Sequence, residues 1–254
     1  SIVTIIVAIL GPVLGTLADT KGFKKPVFTF FVMMGVLGCA GLAVPQTWLI
    51  FLAVYVLAKV GLNASLIFYD AMLGDVTTDE RMDVVSAQGY AWGYIGSCIP
   101  FIFSLIFVLF SDSIGIGINT AMTIAFLLNG VWWLLVTLPL LKAYEQKHYV
   151  ERSAHPVRDS FGRLAHIFSE IRTKPAIWYF LLAFFFYIDG VYTIIDMATS
   201  YGKDVGISDT NLLLALLLTQ VVAFPCSILF GHLSTRVRNT VLIQASIIGY
   251  FGLV

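Results

Sequence analysis

Apolar residues fall in long unbroken runs separated by short polar breaks, a pattern of buried or lipid-facing helices rather than of half-buried strands. Eight runs can be drawn, at Ile2–Leu17, Val27–Val44, Trp48–Tyr69, Ala87–Phe110, Ile118–Leu141, Ile177–Thr199, Asn211–His232 and Val241–Val254. Most are roughly 20 residues long, the length at which a helix crosses about 30 Å of hydrocarbon. The ten-residue alternating segments of a membrane β-barrel are absent. The prediction is an all-α, polytopic membrane helix bundle. Pro45-Gln46 and Ser111-Asp112-Ser113 mark two of the breaks. The last run is too short to cross, and the first begins at Ser1 with its basic residues after it rather than before it. That is not the layout of a signal peptide, and the chain is expected to be the middle of a longer one.

Only one connection is long. It defines an expected division into an N-terminal bundle at 1–141, a linker at 142–176 and a second bundle at 177–254. Within the linker Phe161, Leu164, Phe168 and Ile171 recur at helical spacing, with Arg163, His166, Glu170 and Arg172 elsewhere around the turn. This predicts an amphipathic helix that lies on the membrane surface and tethers two halves, or that binds a partner. Asp159 or Ser160 is a candidate cap for its start.

Composition agrees with the pattern. Hydrophobic residues make up 59% of the 254, mean hydropathy is +0.90, and Asp, Glu, Lys and Arg together reach 12%, against about 25% in an ordinary soluble domain. The net charge of zero excludes a nucleic-acid binder that relies on bulk positive charge, and so much apolar residue excludes disorder. The lipid bilayer is the expected partner. The 15 basic residues are unevenly placed: 13 lie in the first, third, fifth and seventh connections, and Lys203 alone lies in the others. Positive charge stays on the cytoplasmic side, so the odd-numbered connections and the linker at 142–176 are expected there. Cys39, Cys98 and Cys226 each sit in an apolar run and are expected to pack as small hydrophobes. His148, His155, His166 and His232 lack metal-ligand spacing, and no metal or other cofactor site is assigned.

The fifteenth basic residue, Lys59, lies near the middle of a run, as does Asp189, with Asp196 nearer the outer end. Each such charge costs about 2.5–3.5 kcal/mol to insert. At 100° per residue, Lys59, Asn63 and Asp70 fall within about 40° of one another, beside Tyr55. Asp189 and Asp196 share a face with Tyr192 and Thr193. Two runs therefore each carry one polar stripe. Either Lys59 anchors an anionic solute or forms a gate pair with Asp189, which when desolvated is suited to carry a proton, or the two make a static pair that orders the bundle. Gln220 is a further candidate, with an interhelical hydrogen bond as the plainer reading. Trp132 and Trp133 read as packing or interfacial anchors. Asp75, Asp79, Glu80, Arg81 and Asp83 form an acidic turn, read as a solvated loop or as a gate that exchanges ion pairs with Asp19 and Lys24.

Gly15-Thr16-Leu17-Ala18-Asp19-Thr20-Lys21-Gly22-Phe23-Lys24-Lys25 is echoed by Gly231-His232-Leu233-Ser234-Thr235-Arg236-Val237-Arg238. Internal repetition of this kind marks transporters built from two homologous halves. The first copy resembles the loop signature G-x-L-A-D-x-x-G-x-K of the major facilitator superfamily. Thr20 and Phe23 stand where that family usually has Arg, and Thr235 replaces the acidic residue of the second copy. The resemblance implies two pseudo-symmetric six-helix halves, with this chain covering about helices two to nine of twelve. Tyr69-Asp70-Ala71-Met72-Leu73-Gly74-Asp75, Ser86-Ala87-Gln88-Gly89-Tyr90-Ala91-Trp92-Gly93-Tyr94-Ile95-Gly96 and Tyr187-Ile188-Asp189-Gly190 resemble the vacuole-effluxer (autophagy-related) branch and its bacterial relatives, although Gly74 stands where Pro is common. Gly89, Gly93 and Gly96 also read as a small-residue stripe for close helix packing.

The resemblance implies a secondary transporter moving a small polar solute, an amino acid or related organic anion, by alternating access; a monomer is expected, and Asp189 and Asp196 suggest proton coupling. Its membrane would be the plasma membrane in a bacterium or the vacuolar membrane in a fungus. Translocation residues are expected to be Lys59, Asn63, Asp189, Tyr192, Asp196 and Gln220. The expected cytoplasmic gate comprises Gly15, Asp19, Gly22, Lys24, Asp75, Arg81 and Gly231. A non-transporting solute sensor or scaffold on the same fold is the alternative. An enzyme is not expected, because the runs hold no nucleophile–base constellation.

Overall fold

The computed structural model describes residues 2–151 and 156–253. The order of elements is α1 (Ile2–Ala18), α2 (Lys24–Leu42), α3 (Trp48–Val76), a single 3-10 turn (Asp79–Arg81), α4 (Met82–Leu109), α5 (Ser111–Ile114), α6 (Ile118–Ala143), α7 (Pro156–Thr173), α8 (Pro175–Asp204), α9 (Asp209–Ser234) and α10 (Asn239–Leu253). Six of these segments are long and apolar enough to span a membrane, beginning at Lys24, Trp48, Asp79, Ile118, Pro175 and Asp209. The protein is an all-α, multi-pass integral membrane protein. Of the eight apolar runs, the first and last form the shorter helices α1 and α10, of 17 and 15 residues.

Helices overrun the apolar limits where no breaker stops them. α3 continues seven residues past Tyr69 and ends where Thr77 turns extended, and α4 begins at Met82 rather than Ala87. A helix satisfies its own backbone in lipid and at the interface alike, so it need not stop where the apolar residues do. Pro12, Pro100, Pro139 and Pro225 lie inside helices; each lacks an N–H, and in membrane helices neighbouring groups satisfy the carbonyl thus freed. The linker helix forms from Pro156, which makes Asp159 and Ser160 its fourth and fifth residues rather than its cap. Their side chains, with those of Arg163 and Phe168, lie outside the described residues, as do Arg152–His155 altogether.

The helices group into two compact units: residues 1–82 with 99–165, and residues 83–98 with 166–254. In the first unit α2 packs on α3 and α6, and α1 packs on α3. Its core holds Leu14, Ala18, Phe28, Phe31, Val32, Ala64, Phe68, Met72 and Tyr144. α2 and α3 meet on glycine: a Cβ at Gly61 would lie 2.7 Å from the backbone nitrogen of Gly35, and one at Gly38 would lie 2.5 Å from the Cβ of Ala58. Trp133 packs against this core over Gly35. The small-residue contact is therefore in α2 and α3, whereas a Cβ at Gly93 or Gly96 of α4 meets nothing within 4 Å. Thr123 of α6 donates to the carbonyl of Ala43 just past α2 at 2.9 Å. In the second unit α8 meets α9, and Trp92 of α4 packs edge-on to Phe224 of α9, 6.1 Å between ring centroids. Of the three cysteines Cys98 is buried and Cys39 partly so, but Cys226 is exposed, contrary to the packing role expected of it.

Candidate functional site

The connection between α1 and α2 closes on a charged residue that the hydrophobic pattern treated as a loop lysine. Lys24 is the first residue of α2, and its ammonium donates to Asp75 Oδ2 at 2.7 Å and to the Ala71 carbonyl at 3.1 Å. The two side chains are only 4% and 1% exposed. Asp75 thus lies in the last turn of α3, and only Asp79, Glu80 and Arg81 form the exposed turn. The acidic-turn reading of Asp75 is corrected accordingly. The physical reason is the counter-ion: an aspartate at a helix C-terminus faces the negative end of the dipole, and a lysine at a helix N-terminus faces the positive end. Each residue relieves the other's misplacement where the two helix ends meet.

The remaining lone pairs of Asp75 are taken by the segment after α6. The Tyr144 hydroxyl donates to the same Oδ2. The amides of Lys147 and His148 donate to Oδ1 at 3.1 and 2.8 Å, with the His148 ring nitrogen Nδ1 3.3 Å from that oxygen. A buried ion pair is tolerated when hydrogen bonds satisfy what the Coulomb attraction leaves over, and here four donors converge on one carboxylate. Tyr144 is 4% exposed; burial first, then its bond to Asp75, pushes its phenol well above the ordinary range.

The same segment is stitched to the first connection. Lys21 N–H donates to the Val150 carbonyl at 3.0 Å, and Val150 N–H donates to the Asp19 carbonyl at 2.7 Å, which makes Thr20 and Val150 a parallel bridge. Gln146 accepts from Gly22 N–H at 2.9 Å and donates to the carbonyls of Ala18 and Thr20 at 3.2 and 3.3 Å. At the rim Lys21 pairs with Glu151 at 2.9 Å and sits 4.7 Å from the centroid of the Tyr149 ring. Hydrogen bonds to Glu151, then to Tyr149, raise the Lys21 ammonium above its usual value. Gly22 serves the turn through its backbone, at φ +75°. A Cβ at Gly15 would meet nothing within 4 Å.

Of the expected gate residues the structure brings together Lys24 and Asp75, with Asp19 and Gly22 joined through their backbones to Val150 and Gln146. Arg81 is exposed and makes no ion pair among the described residues. Gly231, in the second unit, is buried against Ala87, where a Cβ would come within 2.6 Å. It lines a cavity of about 370 Å³, beside which Asn239 donates to Asp83 at 2.7 Å. The expected translocation residues are less gathered. Lys59 and Asn63 are partly buried on one face of α3; Asp189, Tyr192 and Asp196 are exposed on α8; Gln220 is partly buried on α9. None makes a side-chain hydrogen bond or ion pair to another described residue. Lys59 and Asn63 belong to the first compact unit, and Asp189, Tyr192, Asp196 and Gln220 to the second.

Sequence reasoning missed Tyr144, Gln146 and the amides of Lys147 and His148. Backbone amides carry no residue signal, and Tyr144 stands directly after an apolar run, where an aromatic reads as an interfacial anchor.

The whole chain matches the family described as vacuole effluxer Atg22 like, over residues 1–82 and 74–253. It is 44% identical over 254 residues to the uncharacterized MFS-type transporter YxiO of Bacillus subtilis, covering 98% of this chain and 59% of that one. It is also 24% identical over 263 residues to autophagy-related protein 22 of Kluyveromyces lactis, covering 91% of this chain and 52% of the relative. A shorter match, 29% over 130 residues, joins it to the protein of the same name in Cryptococcus neoformans, covering 49% and 24% of the two chains. The chain therefore spans less than two thirds of the length of these relatives. No solved structure matches it. The motif between α1 and α2, the multi-pass helical architecture and these matches converge: the chain belongs to the vacuole effluxer Atg22-like family.

Proposed function

We propose that the protein is a secondary transporter, not an enzyme, that moves a small polar solute across a membrane by alternating access. The observation that carries this reading is the Lys24–Asp75 pair, nearly sealed from solvent where α2 begins and α3 ends. Its lysine belongs to the segment that resembles the superfamily's loop signature, and the pair is an electrostatic element able to hold one end of the bundle closed. The description of the matched family and the name of the Bacillus subtilis relative support the same class. In this reading the odd-numbered connections and the linker face the cytoplasm, following the bias in basic residues, and the protein works as a monomer in the plasma membrane of a bacterium or the vacuolar membrane of a fungus. Lys59 anchors the anionic group of an amino acid or related organic anion, assisted by Asn63, Tyr192 and Gln220. Asp189 and Asp196 carry a coupling proton. Gly231 and Arg81 complete the cytoplasmic gate.

The test is solute uptake by full-length protein in proteoliposomes, screened over a panel of amino acids and organic anions with and without a proton gradient. Lys59→Ala and Asp189→Asn are each expected to lower the rate by about tenfold to a hundredfold. Uptake indifferent to both substitutions would remove these residues from the site.

A further inference from the structure

We propose that residues 144–151 form a releasable latch over the Lys24–Asp75 pair, so that the ion pair can separate only when the start of the linker lifts. This rests on the reading of that pair as a gate, and assigns its regulation to the linker. The argument begins with one carboxylate serving two structures at once. Asp75 Oδ2 holds Lys24 and Tyr144, while Oδ1 holds the amides of Lys147 and His148. The segment that supplies three of those four donors is also the segment that covers the carboxylate, leaving it 1% exposed. If Lys24 withdrew while the segment stayed, Asp75 would be a buried charge without its counter-ion, which is strongly unfavourable. If the segment lifts, water reaches the carboxylate and the cost of separation falls. Opening of the pair and lifting of the segment are therefore one event.

The outer attachments suit a latch that moves as a piece. Gln146, the Thr20–Val150 bridge and the Lys21–Glu151 pair all tie the segment to the single connection at 19–23. Lys21 and Glu151 are half or more exposed, so the outer end is held by contacts that solvent can replace. The linker, which otherwise only joins two halves of the chain, would thereby report on and control the gate.

The experiment uses full-length protein with Cys39→Ala, Cys98→Ala and Cys226→Ala, carrying Lys21→Cys and Glu151→Cys. A short, reductant-cleavable methanethiosulfonate reagent joins the two thiols and pins the latch. Pinning is expected to lower the uptake rate about tenfold or more, as closure of a gating segment does, with recovery on reduction. Unchanged uptake after complete cross-linking overturns the latch, because a permanent strut would tolerate it. A protein that transports no solute of the panel refutes the transporter reading instead, and hydrogen exchange then decides the latch. The Lys24 ammonium hydrogen-bonds Asp75 and Ala71, so Lys24→Met removes none of the hydrogen bonds that residues 144–151 themselves make. It is expected to speed exchange at the amides of Lys147, His148 and Val150 together by about tenfold or more, since amides that open as one cooperative unit change together. Unchanged or slower exchange at these amides overturns the proposal.

Discussion

Asp75 shows how a residue's environment can invert what its neighbours in sequence suggest. Flanked by Asp79, Glu80 and Asp83, it reads as part of a solvated acidic turn, yet it is 2% exposed and carries four donors. Breaking one side of a buried pair leaves the other charge stranded. Lys24→Met and Asp75→Leu are each expected to destabilise the folded protein by about 3–5 kcal/mol, while the double variant recovers a large part of the loss. Thermal unfolding of the purified protein in detergent measures both, and additive losses would show that the two residues do not act as a pair. Tyr144 allows a pH test. Its folded-state phenol is held above the ordinary value, so the unfolded chain loses that proton first. The stabilisation is fully present below about pH 10, the value of a free phenol, and fades as pH rises beyond it. Tyr144→Phe is expected to be less stable at neutral pH and to lack this part of the alkaline decline, as read by melting temperature against pH.

At the scale of elements, helix existence was legible because a membrane helix must announce itself with a long apolar run. All eight runs became helices, with ends within about seven residues of the expected limits. The amphipathic linker helix was also legible from its spacing, but its start at Pro156 was not, since the capping residues proposed for it fall inside the helix. Packing was less legible, because a glycine motif does not say which helix it will meet. The stripe at Gly89, Gly93 and Gly96 suggested close approach in α4, yet a Cβ at Gly93 or Gly96 meets nothing within 4 Å, while tight contacts formed between α2 and α3 at Gly35, Gly38 and Gly61. Gly61→Ala would drive a methyl into the backbone of α2, 2.7 Å from Gly35 nitrogen. It is expected to destabilise by about 1–3 kcal/mol, the usual range for overpacking. Gly74→Ala, at a helical position with open space, is expected to be neutral or to stabilise by up to about 1 kcal/mol through helix propensity. The pair of variants, compared in one unfolding assay, separates packing from propensity; equal effects would refute the tight α2–α3 contact.

For the whole molecule, the bias of basic residues predicts sidedness. Single cysteines introduced at Lys25 and Lys142, both exposed, are expected to label from the cytoplasmic face only. One introduced at Lys203 is expected to label from the opposite face, and labelling of all three from one face would refute the orientation. Such global features come from the sequence alone. The lipid environment, the number of apolar helices, the family motif and the asymmetry of charge depend on residue type and order, because transfer into hydrocarbon is a property of each segment taken separately. The identity of the partners that hold Lys24 and Asp75 depends on tertiary structure. Tyr144 and two backbone amides reach Asp75 from about seventy residues away only because the end of α6 returns to the start of α2. A carboxylate's solvation is set by which donors the fold delivers to it, and no local pattern encodes that delivery.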